Sequence, residues 1–329
     1  MKYSFSDKRI YKLAYYLSAL ANGFVNEASC RNRISKAVLN YRQLPQIEKD
    51  YIDNRVDYYN KLSQAFDDNN LKTQVANYRR EKSWAYHLDF KPLIKCFPGS
   101  YRFNYLFGDV TEIPSQPTFL KSRPVTDDNS NTNSVLLKLN MIRHYYMPKD
   151  SVSFEDKKPL AIWRGKAFRD NREDFIRQYH TSPLCDIGDT RAASQGQPWH
   201  KPFMPIHEQL RFRYIISIEG KDVASNLKWA MASNSVCLMP EPKYETWFME
   251  GALIPGKHYV QINDDFSDLE QKIEHLNRNP QDALEIVGHA NEHANQFNDS
   301  EREFLISIMV MDKYFQLAGR PSILSIIND

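Results

Sequence analysis

The stretch KPLAIWRGKAFRDNREDF, Lys158–Phe175, decides how the chain is read. Its apolar run, Leu160-Ala161-Ile162-Trp163, has the length and composition of a buried strand and stops abruptly at Arg164-Gly165. Lys166, Arg169 and Arg172 follow at once, and REDFIRQYH (172–180) then reads as a helix. A strand, a turn carrying glycine and cations, and a helix form one unit of a parallel sheet. The same alternation continues downstream. Strand-like YIISIEG (214–220) leads to helix-like NLKWAMASN (226–234), and SVCLMP (235–240) leads to YETWFMEGAL (244–253), read as a helix. HYVQI (258–262) precedes SDLEQKIEHLNRN (267–279), where Ser267 and Glu270 have capping-box spacing. PQDALEIVGHANEHANQF (280–297) opens with a proline suited to a first helical position, and REFLISIMVMDKYFQLAG (302–319) reads as a long helix stopped by Gly319. Apolar strands alternating with helices predict an α/β fold with a parallel sheet covered on both faces. In such sheets ligands bind beyond the carboxyl ends of the strands, which puts Arg164-Gly165 and Glu219-Gly220 on one rim.

Upstream the character differs. The first ninety or so residues read as helical, including IEKDYIDNRVDYYNKLSQAF (47–66) and NNLKTQVANYRREKSWAYHL (69–88). From Tyr101 to Val125, short apolar pieces are broken by Gly108, Pro114 and Pro117, as strands and loops would be. VTDDNSNTNS (125–134) is a polar loop, VLLKLNMIRHYY (135–146) reads as a helix, and Pro148 to Pro159 as a linker. At 329 residues the chain exceeds what one core usually serves, so two domains are expected, 1–150 and 151–329. The final helix, about 301–319, is a candidate to pack back on the first domain.

Composition narrows the function. Apolar residues make up 42% of the chain and charged residues 26%, which excludes a wholly disordered chain. A net charge of +2 without a long basic block argues against a nucleic-acid partner. The four cysteines, Cys30, Cys96, Cys185 and Cys237, form no C-x-x-C pair, which points to reduced thiols in the cytoplasm. No apolar run reaches the roughly 20 residues of a membrane span. The N-terminal segment places Ile10, Leu13, Ala14, Leu17 and Leu20 at helical spacing, and this face is expected to pack on its own domain. Lys2, Lys8, Arg9 and Lys12 encourage the alternative, peripheral contact with a membrane surface.

The candidate chemistry lies at the strand ends. Glycine lets a backbone approach a ligand, and a following helix offers free N–H groups to an anion. After Gly220, Ala224 and Ser225 are small enough to admit a phosphate. Tight turns with solvated charges account for the same spacing equally well. His289 and His293 are four apart, but Glu292 is misplaced for H-E-x-x-H, so they read as surface histidines and no metal site is expected. No Asp-x-Asp, G-x-x-x-x-G-K-[ST] or G-x-G-x-x-G occurs. A bound diphosphate would therefore be neutralised by arginine, lysine and helix N-termini. Asp109, after Gly108 at the end of an apolar strand, stands where a general base would face that rim.

FGDVTEIPSQPTFLKSRP (107–124), WRGKAFRDNR (163–172), YIISIEGKDVASNLKWAMASNSVCLMPEPKYETWFMEGALIPGKHYV (214–260) and DDFSDLEQKI (264–273) together resemble glycosyltransferase family 90, closest to its bacterial lipopolysaccharide branch. The resemblance runs from about Tyr101 to Gly319. It implies a GT-B architecture, two Rossmann-like domains facing across a cleft behind a helical N-terminal region. It also implies inverting, metal-independent transfer of a hexose or xylose from a UDP-sugar to a hydroxyl of a lipopolysaccharide or related glycan. No cofactor is implied. On the matching positions Asp109 would be the base. Lys121, Arg123, Arg164, Gly165, Arg172, Glu219, Gly220, Ala224, Ser225 and Lys228 would surround the nucleotide-sugar. Asn226 stands where the Rumi-type branch has an arginine, which leaves a catalytically weak nucleotide- or glycan-binding protein as the alternative.

Overall fold

The structure, a computed structural model, describes residues 8–22, 27–81, 83–128 and 130–325. Lys2 and the side chains of Lys8, Arg9 and Leu20 lie outside the described residues. The chain opens with helices α1 (Lys8–Asn22), α2 (Glu27–Gln43) and α3 (Gln46–Tyr59). The next stretch, expected to be helical, is instead extended and irregular. A short strand β1 (Thr73–Gln74) precedes α4 (Trp84–Ile94), and β1 pairs with β2 (Arg102–Phe103). Asn60, fully buried, ends α3: its amide donates to the Val310 carbonyl and its own Oδ1 accepts from the Leu62 N–H.

Strands β3 (Tyr105–Leu106), β4 (Thr118–Leu120) and β6 (Ser134–Leu136) make a three-stranded parallel sheet, and β5 (Ser122–Pro124) leaves it to pair elsewhere. The expected helix over 135–146 is therefore a strand followed by the single turn α5 (Met141–His144). Val135, Leu136 and Leu137 are all fully buried, an apolar run that suits a strand covered on both faces better than an amphipathic helix.

The second half builds a five-stranded parallel sheet. Its elements are β7 (Lys158–Gly165), α6 (Asp170–Tyr179), β8 (Cys185–Asp189), α7 (Ile206–Gln209), β9 (Phe212–Ile216), α8 (Leu227–Met231), β10 (Val236–Met239), β11 (Tyr244–Thr246) and β12 (Val260–Gln261). Helices α9 (Leu269–Arg278), α10 (Pro280–Asn295) and α11 (Ser300–Leu317) close the chain. The order across the sheet is β12-β10-β9-β7-β8. Numbered within the sheet, that is the doubly wound order 2-1-3-4-5, whose direction reverses between β7 and β9. Strand residues alternate between two cores: Trp163, Tyr214, Ile216, Val236 and Leu238 face α6 and α9, while Ile162, Ile215, Cys237 and Met239 join the core shared with the first half. That shared core runs on through Phe119 and Leu136 to Tyr314 and Phe315 of α11, which packs on α2 and α3.

Three further expectations change. The 244–253 segment is no helix: β11 pairs antiparallel with β5, tying the two halves together. The capping box is not formed, since Asp268 precedes α9 and Glu270 accepts from Ser182 Oγ at 2.5 Å. The 148–159 segment is anchored, because buried Lys157 pairs with Asp150 at 2.6 Å and Asp150 also accepts from the Asn234 N–H. Pro280 does open α10, and Gly319, at φ +75°, ends α11 with Arg320 N–H returning to the Phe315 carbonyl.

Candidate active site

At the reversal between β7 and β9 one guanidinium bonds the backbone carbonyls of both Ile218 and Glu219. Arg172, on the first turn of α6, donates Nη2 to the Ile218 carbonyl at 2.8 Å and Nε to the Glu219 carbonyl at 3.2 Å. Gly220 lies directly over it: a Cβ there would stand 3.1 Å from Nη2. Gly165 is glycine for a different reason, because its Cβ would meet the Trp163 ring at 2.7 Å. Arg172 makes no ion pair among the described residues. Burial, then neighbouring Arg143 and Arg169, depress its affinity for a proton. Glu219 offsets this only in part, so the guanidinium, bonded to carbonyls beside other cations, is short of negative charge.

Beside it opens a cleft at the carboxyl ends of β9, β10 and β12, lined by Ser217, Glu219, Ala224, Pro240, Lys243 and Phe266 among others. Its volume is about 80 Å³. Glu219 reaches into this wall and accepts from the Lys243 and Tyr244 N–H groups, both at 3.2 Å. Burial outweighs those bonds and pushes its carboxyl up to about 7. Phe266 holds a left-handed backbone at φ 64° although buried, a costly conformation kept by the Tyr179 hydroxyl bonding to its carbonyl.

Facing this rim, Asp109 follows β3 and Gly108, the latter at φ +126°. Lys121 Nζ bonds Asp109 Oδ1 at 2.8 Å and Asp222 Oδ2 at 2.5 Å. Asp222 belongs to the same 217–225 loop that Arg172 holds, and Ser122 Oγ also donates to it at 2.7 Å. A single lysine thus links the candidate base to the candidate nucleotide loop. Burial would raise the Asp109 carboxyl, but Lys121, Arg143 and Lys221 together hold it below the ordinary value. It is therefore ionised across the neutral range, and its side chain remains about 31% exposed.

The remaining expected residues fall into two groups. Arg164 sits at the end of β7 but turns to β8, bonding Asp186 Oδ1 at 2.6 Å and the Asp186 carbonyl at 2.6 Å. Lys201 shares that carboxylate. Ser225 lies on the loop next to Ala224 in the cleft wall. Arg164 is thus in a closed pair, its side chain about 5% exposed, and Arg123 and Lys228 are closed and fully buried: Arg123 with Glu245 at 2.7 Å and with the Tyr58 and Ser134 carbonyls, Lys228 with Glu250. Asn226 also turns inward, accepting from Ser217 Oγ and donating to the Ile216 carbonyl. His293 is not a surface histidine: it packs on Phe248 and Phe297, and burial lowers it to about 4. Sequence reasoning missed two residues. Asp222 was hidden among ordinary loop polars, and Arg143, which influences both Asp109 and Arg172, stands on a turn misread as part of a longer helix.

A profile of glycosyl transferase family 90 matches residues 137–320. An O-glucosyltransferase LpsA from Dichelobacter nodosus is 43% identical over 307 residues, covering 93% of this chain and 96% of its own. The chain belongs to glycosyl transferase family 90. Protein O-glucosyltransferase 3 of Homo sapiens is 26% identical over 168 residues, covering 49% of this chain and 33% of its own. The rat protein of the same name matches to the same extent. As a family 90 glycosyltransferase the chain handles a sugar donor and a glycan acceptor. No described helix is long and apolar enough to cross a membrane.

Proposed function

We propose that this glycosyltransferase transfers glucose, or a closely related hexose, from a UDP-sugar to a hydroxyl of a lipopolysaccharide-type acceptor. The name of the Dichelobacter relative supports both the sugar and the acceptor class. The observation that carries the mechanism is the Asp222–Lys121–Asp109 link across the gap between the β3 end and the nucleotide loop. In this reading residues 1–150 and 151–329 act as the acceptor-side and donor-side halves of a GT-B arrangement, with the doubly wound sheet holding the nucleotide.

The uracil ring would enter the narrow cleft against Ala224 and Phe266, leaving the diphosphate on the Arg172–Gly220 rim. Arg172 and Arg143 then stabilise the negative charge that grows on the leaving UDP. Asp109 takes the proton of the acceptor hydroxyl as its oxygen attacks the anomeric carbon from the face opposite UDP. The C–O bond to UDP breaks as the new one forms, so one displacement inverts the centre. Lys121 keeps Asp109 ionised and oriented, at the cost of basicity. In this scheme the arginines carry the counter-charge that a divalent cation would otherwise supply. Arg123 and Lys228 are given structural roles.

The test is to incubate the purified chain with UDP-glucose, UDP-galactose or UDP-xylose and a truncated lipopolysaccharide. One hexose mass gained, with an inverted anomeric centre by NMR and a rate unaffected by chelator, is expected. Retention of configuration would remove Asp109 from the role of base, and hydrolysis or binding without transfer would favour a binding protein.

A further inference from the structure

Asp222 is a carboxylate that the turn it sits on does not need. Backbone closes that turn, the Gly220 N–H donating to the Asp222 carbonyl at 2.9 Å. The side chain instead reaches the first half of the chain, where Oδ2 accepts from Ser122 Oγ at 2.7 Å and meets Lys121 Nζ at 2.5 Å. Lys121 already has a counter-charge, since Nζ also bonds Asp109 Oδ1 at 2.8 Å. One ammonium and two carboxylates therefore share a nearly closed place, the side chains of Lys121, Asp222 and Asp109 being 2, 5 and 31% exposed. A second buried acid costs desolvation that neutralising Lys121 does not require. Nor is it needed to tie the two halves together, because β5 and β11 already pair across them.

What the second acid changes is the division of Lys121. Burial works against the Lys121 charge, while Asp222, Tyr86 and Asp109 favour it and hold the ammonium above its ordinary range. Burial alone would raise Asp109, and Lys121, then Arg143 of α5 and Lys221 of the loop, hold it down. Tyr86 of α4 lies within electrostatic reach of Lys121, Asp109 and Asp222. Lys228 is within reach of Lys121 and Asp222 but is committed to Glu250. Among the described residues, Lys121 is the cation that bonds Asp109 directly. Left alone with Asp109, it would give that carboxylate the whole of its charge, and a carboxylate so held is a poor proton acceptor.

We propose that Asp222 is a positioning residue for the transfer: by drawing Lys121 toward the nucleotide loop, it leaves Asp109 oriented yet loosely enough held to take a proton. Asp222 acts through Lys121 and on neither substrate. The proposal rests on Asp109 being the base, and deepens that reading by giving the donor side of the cleft a hold on the base. Ser122 works against Asp222, because the bond it donates lessens the demand of that carboxylate on Lys121. Ser122 Oγ also accepts from the Val110 N–H at 3.3 Å, which ties the backbone next to Asp109 to the same cluster.

Steady-state kinetics of the full chain with UDP-glucose and a truncated lipopolysaccharide test it. Asp222→Asn keeps an acceptor for Ser122 but releases Lys121 to Asp109. Its kcat should fall roughly threefold to tenfold, with the acceptor KM and the UDP dissociation constant unchanged. Adding Lys121→Gln to that variant removes the grip and should return most of the lost kcat. The acid limb of its pH profile should move up toward the ordinary aspartate value of about 3.9. Ser122→Ala makes Asp222 lean harder on Lys121 and should raise kcat, the opposite sign. A parental kcat in Asp222→Asn, a defect confined to UDP affinity, or a double variant slower than the single would overturn the proposal. Should Asp222→Asn not fold, Ser122→Ala decides, and a kcat that falls or stays put counts against it. Carboxyl-carbon NMR reads the same cluster without catalysis: Asp109 should titrate lower in Asp222→Asn, and higher in the double variant, than in the parent. Those shifts in a chain that turns over undiminished with Asp109→Asn would uphold the sharing of Lys121 and sink the base. A base confirmed by Asp109→Asn, with an Asp109 titration indifferent to Asp222, would do the reverse.

Discussion

Two sets of cations in this chain are made of the same residue types and do opposite work. In the interior, Arg55 pairs with Glu303 at 2.6 Å, Arg123 with Glu245 and Lys228 with Glu250, each pair almost wholly buried. At the end of the five-stranded sheet, Arg172 donates, among the described residues, only to backbone carbonyls. The first set is closed, every charge matched by a carboxylate within the fold. The second is open and leaves positive potential to be answered from outside. Partner satisfaction, rather than residue identity or position in a motif, separates the cations that hold the fold from those that can hold an anion.

The sharpest way to break this contrast is at Asp109, the carboxylate poised opposite the open set. Asp109→Asn should lower the rate of transfer by about 10²–10⁴-fold, the range for loss of a general base. Nucleotide affinity by calorimetry should stay nearly constant, because the proposed mechanism has the residue act on the acceptor. Undiminished turnover would end its assignment. At a closed pair the expected effect is on folding. Arg123→Met strands Glu245 in the interior and should cost about 3–5 kcal/mol of stability in denaturant titration. If the variant melts like the parent but loses UDP binding, Arg123 belongs with the open set and the contrast fails.

Arg172→Ala probes the open set itself. Charge-assisted bonds contribute about 1.5–3 kcal/mol, so UDP affinity should fall roughly 10- to 100-fold. The loss should persist far below the melting temperature, where the carbonyls of Ile218 and Glu219 are still in place. An unchanged dissociation constant would mean that the rim does not grip the diphosphate.

The contrast also explains what could be read in the sequence. The strand–helix alternation of 158–319 was legible because strands buried on both faces, such as Tyr214–Ile216, are unbroken apolar runs. The polar edge strand β8, Cys185–Asp189, has no such run and went unread. Tyr244–Thr246 looks helical locally, yet Glu245 is needed in the interior opposite Arg123, and that pairing across 122 residues fixes it as a strand. The same distance in sequence hides which cations are closed: nothing near Arg123 or Lys228 announces Glu245 or Glu250. Asp109 could be singled out because Gly108 and the strand end mark it. Asp222 could not, because its significance lies in a lysine 101 positions away. The aliphatic face of α1, expected to pack inward, leaves Ile10, Leu13 and Leu17 exposed by 52, 62 and 58%. It escaped for a similar reason, since the acceptor that draws Tyr15 inward is Asp89, far along the chain.

The smallest expected effect is at the acid within the open set. Glu219 is raised from 4.5 to about 7 by burial, so the folded chain holds its proton more tightly than the unfolded chain does. Its contribution is therefore most favourable below about 4.5 and is lost as pH rises through about 7. Glu219→Gln can still accept from the Lys243 and Tyr244 N–H groups but carries no charge. It should match the parent at pH values below 4.5 and exceed it at alkaline pH by on the order of 1 kcal/mol, allowing for partial solvent screening. Nucleotide binding should show the same asymmetry, because an ionised Glu219 repels a diphosphate. Parent affinity should decline through neutrality while the variant's stays flat. Parallel pH profiles for the two proteins would mean that Glu219 is ionised at no cost, and that the rim is less short of negative charge than its arginines make it.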